Sequence, residues 1–356
     1  MNQPSAFLAS LLDAAGPSGF EVDAARLWRA EAETFADSVT TDVSGNTIAT
    51  VNLDGRPRIM LAGHIDEIGL QVTHIDEEGF LYIAGIGGWD PQVLVGQRVK
   101  ILGSPGGVVG VVGKKAIHLL KVAERKSASQ IDQLWVDVGV GSRAEATELG
   151  LRVGDAMVID AAMVRLAGDR IASRAIDNRI GAYVVLEALR LLSDLSPTAS
   201  AVAVATVQEE IGGGSGGGAR SSAFGLEPDA ALVVDVTFST DVPDIEKKQL
   251  GEHNLGGGPV LSRGSAAHPV IFDLLVEVAE AEGIAHTIQA SPRSTRTDAD
   301  SIYLTRSGVP TGLVSVPNRY MHSPNEIVSL TDLESAARLL AAFVMSLDED
   351  TDFTPR

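Results

Sequence analysis

The pattern of hydrophobic and polar positions changes several times along the chain. Residues 5–15 and 21–36 have apolar positions at helical spacing, with the breaker GPSG between them. Residues 46–52 and 58–63 are short apolar runs joined by the turn segment LDGRP, which indicates two strands. The first quarter of the chain is therefore expected to be helices followed by strands of a sheet.

The same alternation returns in the second half. Helices are predicted over residues 178–195, 269–282 and 331–347, and strands over residues 200–207, 230–236, 285–289 and 310–316. Thr331 and Glu334 have the spacing of a capping box for the last helix. Strands that alternate with helices favour an α/β fold with a mixed sheet between helical layers.

The intervening stretch has a different texture. Residues 72–164 contain short Val- and Gly-rich segments such as RVKILG, GVVGVVG and LWVDVG, and one short candidate helix at 142–149. Frequent turns between short strands are typical of a small β-barrel or sandwich. We therefore predict a discontinuous α/β domain, residues 1–71 and 165–356, with a small β-barrel-like domain inserted at 72–164.

Acidic and histidine residues occur at or just beyond the ends of the predicted strands, or in loops beside them. They are His64, Asp66, Asp177, Glu209, Glu210, Asp235 and His322. The carboxyl ends of strands in an open α/β sheet converge on one crevice. Nitrogen and oxygen donors brought together there suit zinc, cobalt or manganese.

The pair Glu209–Glu210 requires a local bend. Successive residues of a regular strand face opposite sides of the sheet, and the glycines that follow make a bend inexpensive. Asp177, Glu209, Glu210 and Asp235 would bring four negative charges into one cleft. A like-charged pair at 4 Å costs on the order of 4 kcal/mol at an effective dielectric near 20. Two divalent cations would balance the four charges.

Composition narrows the choice of partner and metal ligand. The 356 residues carry a formal charge of -19, which disfavours binding to nucleic acid and to anionic membranes. The sequence has no cysteine, so a metal must be held by His, Asp and Glu. The N-terminal segment does not resemble a signal peptide, and no apolar run has membrane-spanning length. We expect a cytoplasmic protein.

Plainer interpretations exist for single residues. Asp177 could cap a helix that begins at Asn178, Asp235 could end a strand, and either histidine could be a packed or surface side chain. Residues 213–217 also match the G-x-S-x-G nucleophile elbow. A glycine tract satisfies that pattern trivially, and the following GGGARSSAFG is a poor helix, so a serine hydrolase is disfavoured.

Taken together and in this order, the segments resemble the tetrahedral aminopeptidase and glutamyl aminopeptidase family of di-metal exopeptidases. The carrying motifs are GHIDEIGL, RAIDNRIGA, VQEEIG, LVVDVTFSTDVP and RYMHSPNE. Segments of the insert, including GGWDPQVLVGQRVKI and GVVGKKAIHLL, are similar to the family's inserted β domain. The resemblance covers nearly the whole chain.

The resemblance implies a role for each residue. Asp177 would bridge two divalent ions, zinc by preference and cobalt or manganese otherwise. His64 and Asp235 would complete one ion's ligands. Glu210 and His322 would complete the other's. Glu209 would be the general base that activates a metal-bridging hydroxide, and Asp66 would orient His64.

The resemblance also implies a substrate and an assembly. The substrates would be short peptides that lose their N-terminal residue, and the insert would mediate dimers that build a tetrahedral dodecamer. Apolar stretches such as GGWDPQVLVG are candidates for that contact. Two features depart from the family's usual pattern, the glycine-rich residues 212–218 and Arg296, and both bear on specificity.

Three rival functions stay open from the sequence. Another di-metal amidohydrolase, such as an amino-acid deacylase or carboxypeptidase, would use the same ligands. A glycosidase could use the paired carboxylates without the histidines. A non-catalytic binding protein would hold no metal and hydrolyse nothing.

Overall fold

The computed structural model describes residues 3–104, 106–122, 124–212 and 217–356. The strands are β1 Ser38–Thr41, β2 Thr47–Val51, β3 Arg58–His64, β4 Gly69–Ile75, β5 Leu81–Ile86, β6 Arg98–Ile101, β7 Val108–Gly113, β8 Trp135–Asp137, β9 Ala156–Ile159, β10 Val164–Arg165, β11 Arg170–Ser173, β12 Ser200–Thr206, β13 Ala230–Phe238, β14 Val260–Arg263, β15 Thr287–Ala290, β16 Thr311–Asn318 and β17 Glu326–Ser329. The helices are α1 Ala6–Asp13, α2 Val22–Ala32, α3 Pro91–Leu94, α4 Arg143–Glu148, α5 Ile176–Leu195, α6 Glu209–Gly212, α7 Gly217–Leu226, α8 Lys247–Leu250, α9 Pro269–Ala281, α10 Ala299–Ile302 and α11 Leu330–Met345.

An eight-stranded mixed sheet is the frame of the larger part of the molecule. Its strand order is β1-β2-β12-β3-β13-β16-β14-β15. The four central strands β12, β3, β13 and β16 run parallel, while β2 and β14 are antiparallel to their inner neighbours. Thr206 at the end of β12 pairs with His64 at the end of β3. The carboxyl ends of the central strands therefore meet at one edge.

Helices cover both faces of this sheet. Alternate residues of β3 point to opposite sides, so Ile59 and Leu61 pack into the core formed with α1, α2, α5, α9 and α11. Met60 and Ala62 pack on the other face, against α7 and α10. The prediction of a mixed sheet between helical layers is confirmed.

The inserted stretch forms a closed six-stranded barrel. Its strand order is β4-β5-β8-β7-β6-β9, all neighbours being antiparallel. Inward-facing side chains such as Leu70, Leu81, Val136 and Met157 form a core separate from that of the sheet. A small inserted β-barrel was predicted and is confirmed, while the boundaries at 71/72 and 164/165 stay predictions. A third, three-stranded sheet contains β10, β11 and β17.

Two local predictions were wrong. The segment thought too poor in helix formers is the helix α7, because Gly218, Ala219 and Ala223 are buried against the sheet and burial outweighs glycine's low propensity. The last helix begins at Leu330 with Ser329 as its N-cap, so Thr331 is not the cap of a capping box. The Ser329 hydroxyl donates instead to Asp169.

The elbow-like pattern and the glycine tract lie only partly within the residues that the structure describes. Ser215 of the elbow-like pattern and residues 213–216 of the glycine tract lie outside the described residues.

In the part of the chain that is described, no helix is long and apolar enough to cross a lipid bilayer. The cytoplasmic location stays a prediction.

Candidate metal centre

His64 ends β3 and is almost fully buried, with its side chain 2% exposed. Its Nδ1 lies 3.3 Å from Asp66 Oδ1, and its Nε2 lies 3.3 Å from Asp177 Oδ1. A ring whose Nδ1 faces a carboxylate presents Nε2 as the free ligand atom. The predicted pairing of Asp66 with His64 therefore has matching geometry.

Asp177 lies at the start of α5, where the Asp177–Asn178 peptide bond is cis. Its Oδ1 faces His64 Nε2 and its Oδ2 faces His322 Nε2, each at 3.3 Å. Its backbone N–H donates to Glu326 at 2.9 Å. One carboxylate thus stands between two histidines with one oxygen directed at each.

Glu209 and Glu210 follow β12 but do not lie on it. The strand ends at Thr206, Gln208 has a positive φ of 62°, and the glutamates form the first turn of the short helix α6. The backbone N–H groups of both glutamates donate to the Asp66 carboxylate at 3.2 Å. The bend expected from the sequence is present, and Asp66 anchors it as well as facing His64.

His322 lies in the loop after β16, also at a positive φ of 59°. Its Nε2 is 3.3 Å from both Asp177 Oδ2 and Glu210 Oε2. Its Nδ1 lies 2.7 Å from the carbonyl oxygen of Gly88, a residue of the barrel. The hydrogen bond at Nδ1 therefore fixes the orientation of the ring, and Nε2 points at the two carboxylates.

Two sets of these side chains could each hold a metal ion. His64, Asp177 and Asp235 form one, and Asp177, Glu210 and His322 form the other, with the donor atoms of each set within 4.8 Å of one another. The sets share Asp177. Glu210 Oε1 is buried and makes no hydrogen bond within the described part of the chain. Imidazole and carboxylate donors with an unsatisfied oxygen fit two adjacent divalent cations.

The pKa shifts within the cluster also indicate a cation site. Burial raises the pKa of Glu209 to about 10 and raises that of Asp235 well above its usual range. Burial alone would lower the pKa of His322, but hydrogen bonds with Asp177 and Glu210 raise it to about 11. Burial would likewise raise the pKa of Asp177, yet its two histidines lower it to about 2. The cluster attracts positive charge between its carboxylates, which is where cations would bind.

Sequence reasoning missed two buried acids beside the centre. Glu326 accepts the backbone N–H of Asp177 at 2.9 Å and that of His322 at 2.7 Å, so it sets the positions of both. Asp298 accepts the Thr206 hydroxyl at 2.5 Å, and burial raises its pKa to about 6. The only sequence signals were their places in the segments RYMHSPNE and STRTDAD.

The centre opens into a cavity of about 890 Å³. His64, Asp177, Glu209, Glu210, Asp235 and His322 all line it. It is also lined by residues 289–298, which run from the end of β15 to α10, and by the apolar Phe238 and Leu250. The volume is in the range of sites that bind small molecules and short peptides.

Comparisons with known proteins identify the family of the chain. Residues 45–339 match the model of the M42 glutamyl aminopeptidase family. A lysyl aminopeptidase of Pyrococcus furiosus is 37% identical over 321 residues, which cover 90% of each chain.

Solved structures are similar over the whole length. A TET aminopeptidase from a marine-sediment Thaumarchaeota archaeon superposes with a TM-score of 0.91, at 34% identity over 96% of each chain. The TET1 peptidase of Pyrococcus horikoshii, described as assembling into a tetrahedron or a large octahedral shell, has a TM-score of 0.84 at 30% identity. That match covers 96% of this chain and 99% of that one. On the family match, the identity and the shared fold, the chain belongs to the M42 glutamyl aminopeptidase family of metal-dependent peptide hydrolases.

Proposed function

We propose that this chain removes the N-terminal residue from short peptides at a centre of two divalent metal ions. The observation that carries the proposal is the placement of Asp177, whose two carboxylate oxygens each lie 3.3 Å from the Nε2 of a different histidine. That arrangement suits a carboxylate shared by two ions. Zinc is the first choice for these donors, with cobalt and manganese as alternatives.

The ligands divide between two positions. His64 and Asp235 would hold one ion, Glu210 and His322 would hold the other, and Asp177 would contact both. When bound, two such metal ions lower the pKa of water and polarise the scissile carbonyl.

Glu209 would act as the general base. Its Oε2 is 3.8 Å from His64 Nε2, yet it belongs to neither of the two ligand sets. Its backbone is fixed by Asp66, and its carboxylate lines the cavity. Cations held in the two neighbouring ligand sets would lower the pKa of Glu209 and keep its carboxylate ionised. The ionised carboxylate could then accept a proton from the attacking water and return it to the leaving amine.

The acidic wall of the cavity favours a substrate with a free amino terminus. Asp298 lines the cavity and belongs to neither ligand set, so its charge would not be balanced by the two ions. A protonated α-amino group is attracted to that carboxylate, whereas an N-acyl group leaves it unpaired. An aminopeptidase is therefore favoured over a deacylase or carboxypeptidase.

A substrate panel tests the function. The protein is stripped with a chelator, reloaded with zinc, cobalt or manganese singly, and assayed on aminoacyl amides and on N-acetylated amino acids. Hydrolysis of the amides alone, dependent on added metal, supports the proposal. Hydrolysis of the N-acetylated series would favour a deacylase, and chelator-resistant activity would contradict a metal centre.

A matched variant tests Glu209. Glu209→Gln keeps the shape of the side chain, so metal content should be unchanged while turnover falls by about 10²–10⁴-fold. Metal content is measured on the same sample by atomic absorption. Turnover near that of the wild type, with full metal content, would show that Glu209 is not the base.

We also infer that the barrel carries the contacts of a homo-oligomer, built from dimers and reaching a dodecamer. In the segment GGWDPQVLVG, Leu94 is buried in the barrel and the Trp89 indole N–H donates to the Gly69 carbonyl, so these two side chains are engaged within the subunit. The exposed apolar side chains are elsewhere, with Val109 55% and Val111 46% exposed on the outer face of β7. Exposed aliphatic rows of this kind favour burial against a second copy.

Sedimentation of the purified protein tests the assembly. A dodecamer that dissociates in the Val109→Lys/Val111→Lys double variant would support a role for β7. A monomer for the wild-type protein at working concentration would overturn the assembly proposal. A double variant that sediments as a dodecamer would place the contact on another face.

A further inference from the structure

Two arginines also line the cavity that contains the metal centre. Arg293 and Arg296 lie in the connection between β15 and α10, and both are exposed residues that line the cavity. Neither belongs to the metal centre described above. They are thus a second charged feature facing the same space.

Arg296 occupies a backbone conformation that favours glycine. Its φ is 60°, which costs a residue with a side chain on the order of 1 kcal/mol. The turn is stabilised by Asp300, whose carboxylate accepts from the Arg296 N–H at 2.7 Å and from the Thr295 N–H and hydroxyl at 3.0 and 2.9 Å. A hydrogen-bonded turn therefore holds an arginine at a position where glycine would have a lower conformational cost.

Both guanidinium groups are without partners. Within the described residues, neither group has an ion pair or a side-chain hydrogen bond. Arg319, by contrast, donates two hydrogen bonds to Asp241. Asp300 is already engaged with three donors of its own turn. Ten N–H donors, five on each arginine, are therefore available to a ligand.

The charge of the cavity then depends on the metal centre, so the next step rests on the proposed function. Two divalent ions would balance Asp177, Glu209, Glu210 and Asp235. Asp298 and Asp300 also line the cavity, but both carboxylates accept hydrogen bonds from neighbouring residues, whereas the two guanidinium groups do not donate to any described residue. Guanidinium groups bind carboxylates in bidentate geometry.

We propose that Arg293 and Arg296 bind a carboxylate of the peptide substrate and so determine its specificity. That carboxylate belongs either to an acidic first side chain or to the C-terminus of a short peptide, and the two are separated by experiment. A basic first residue is disfavoured by the same arginines.

Two substrate pairs differ in charge at nearly constant shape. The first is glutamyl- and glutaminyl-p-nitroanilide, and the second is Leu-Gly-Gly and its C-terminal amide. For the zinc-loaded wild-type protein we expect kcat/KM to be higher for the charged member of one pair, by about tenfold or more. The pair that shows the preference identifies the carboxylate.

Variants assign the preference to the arginines. In Arg293→Gln/Arg296→Gln the charged-to-neutral ratio should fall to near one. Arg296→Lys should keep part of the preference. Arg338→Gln removes an equal charge from the exposed face of α11, outside the cavity, and should change nothing. Ratios near one in the wild type, or ratios unaffected in the double variant, would overturn the proposal.

A binding measurement separates this proposal from the proposed function. If no substrate is hydrolysed with any metal, the aminopeptidase proposal fails, and calorimetry on the zinc-loaded protein still tests the arginines with two ligand pairs, L-glutamate against L-glutamine and Leu-Gly-Gly against its C-terminal amide. Tighter binding of the charged member of either pair that is lost in the double variant supports them. Equal binding within both pairs refutes them.

Discussion

The Nδ1 atom of His322 lies 2.7 Å from the carbonyl oxygen of Gly88. His322 follows a strand of the large sheet, whereas Gly88 follows β5 of the barrel. A carbonyl can only accept, so Nδ1 donates to Gly88 and Nε2 is the ring atom directed at Asp177 and Glu210, where a bound metal ion would displace its proton. The barrel thus takes part in ordering the metal centre.

Trp89→Phe should weaken metal binding. The Trp89 indole N–H donates to the Gly69 carbonyl at 2.7 Å and holds the residue next to Gly88 in place. Without that bond the Gly88 carbonyl is less well fixed, and the affinity for zinc should fall about tenfold, as for other groups that orient a ligand. Competition with a zinc chelator measures it.

Tyr82→Phe is the control for that variant, because Tyr82 is a partly exposed aromatic residue of the same barrel. Its zinc affinity should match that of the wild type. Thermal melting of both variants reports any loss of barrel stability. An unchanged zinc affinity in Trp89→Phe would show that the barrel does not position His322.

Asp66→Asn should impair the centre through two contacts at once. Asp66 faces His64 at 3.3 Å and accepts the backbone N–H groups of Glu209 and Glu210. An amide has one acceptor oxygen, so its NH₂ group would face one of these donors. We expect activity to fall by about 10–100-fold, with lower metal content.

Ser18→Ala is the matched control, since the Ser18 hydroxyl donates to Asp66 at 2.6 Å but contacts neither His64 nor the glutamates. It should cost much less activity than Asp66→Asn. Steady-state rates and metal content of the two variants decide the matter. Equal losses of activity in the two variants would mean that the contacts of Asp66 with His64 and the two glutamates add nothing beyond its hydrogen bond with Ser18.

The positions of the site residues could be anticipated where a strand leads to them. Apolar runs mark the parallel strands β3, β12 and β13, and parallel strands bring His64, the Glu209 region and Asp235 to one edge. Their proximity is observed, while their roles as ligands and base stay proposals. The barrel was predictable because short Val-rich strands with frequent turns have few other solutions.

Other features have no local pattern to predict them. Glu326 matters because it receives the backbone N–H groups of Asp177 and His322, which are 145 positions apart from one another and meet only in the fold. The helix α7 forms because tertiary burial replaces the propensity that its glycines lack: a Cβ on Gly218 would lie 2.0 Å from Asn46 Oδ1. Such positions are determined by packing, not by sequence periodicity.

Glu67→Gln should strongly destabilise the fold. Glu67 is buried and pairs with two buried arginines, Arg174 and Arg179. Removing its charge leaves both cations with an uncompensated burial cost, which is about 3–5 kcal/mol for a broken buried pair. Urea unfolding followed by circular dichroism measures the free energy of unfolding.

Glu31→Gln provides the comparison for Glu67→Gln. Its partner is Arg190, at 2.6 Å, and about a third of each side chain is exposed. Exposed ion pairs contribute less than about 1 kcal/mol, so this variant should unfold close to the wild type. A loss for Glu67→Gln no larger than that for Glu31→Gln would contradict the assignment of Glu67 as a buried structural charge.

Asp241→Asn should remove a stabilising contribution that depends on pH. Arg319 makes two bonds to Asp241, at 2.9 and 2.6 Å. Burial alone would raise the pKa of Asp241, but Arg319 and Ser239 lower it below its usual value. A carboxyl whose folded pKa is depressed stabilises the fold above its unfolded pKa, about 3.9, and loses that contribution as the pH falls through the folded value. The wild type should therefore exceed Asp241→Asn in urea midpoint by a constant amount above pH 5, and the gap should narrow below about pH 4.

Asp23→Asn, which breaks an exposed pair with Arg26, is the control and should show little difference in urea midpoint from the wild type at any pH. A gap for Asp241→Asn that stays constant down to pH 3 would mean that the ion pair with Arg319 does not stabilise the fold.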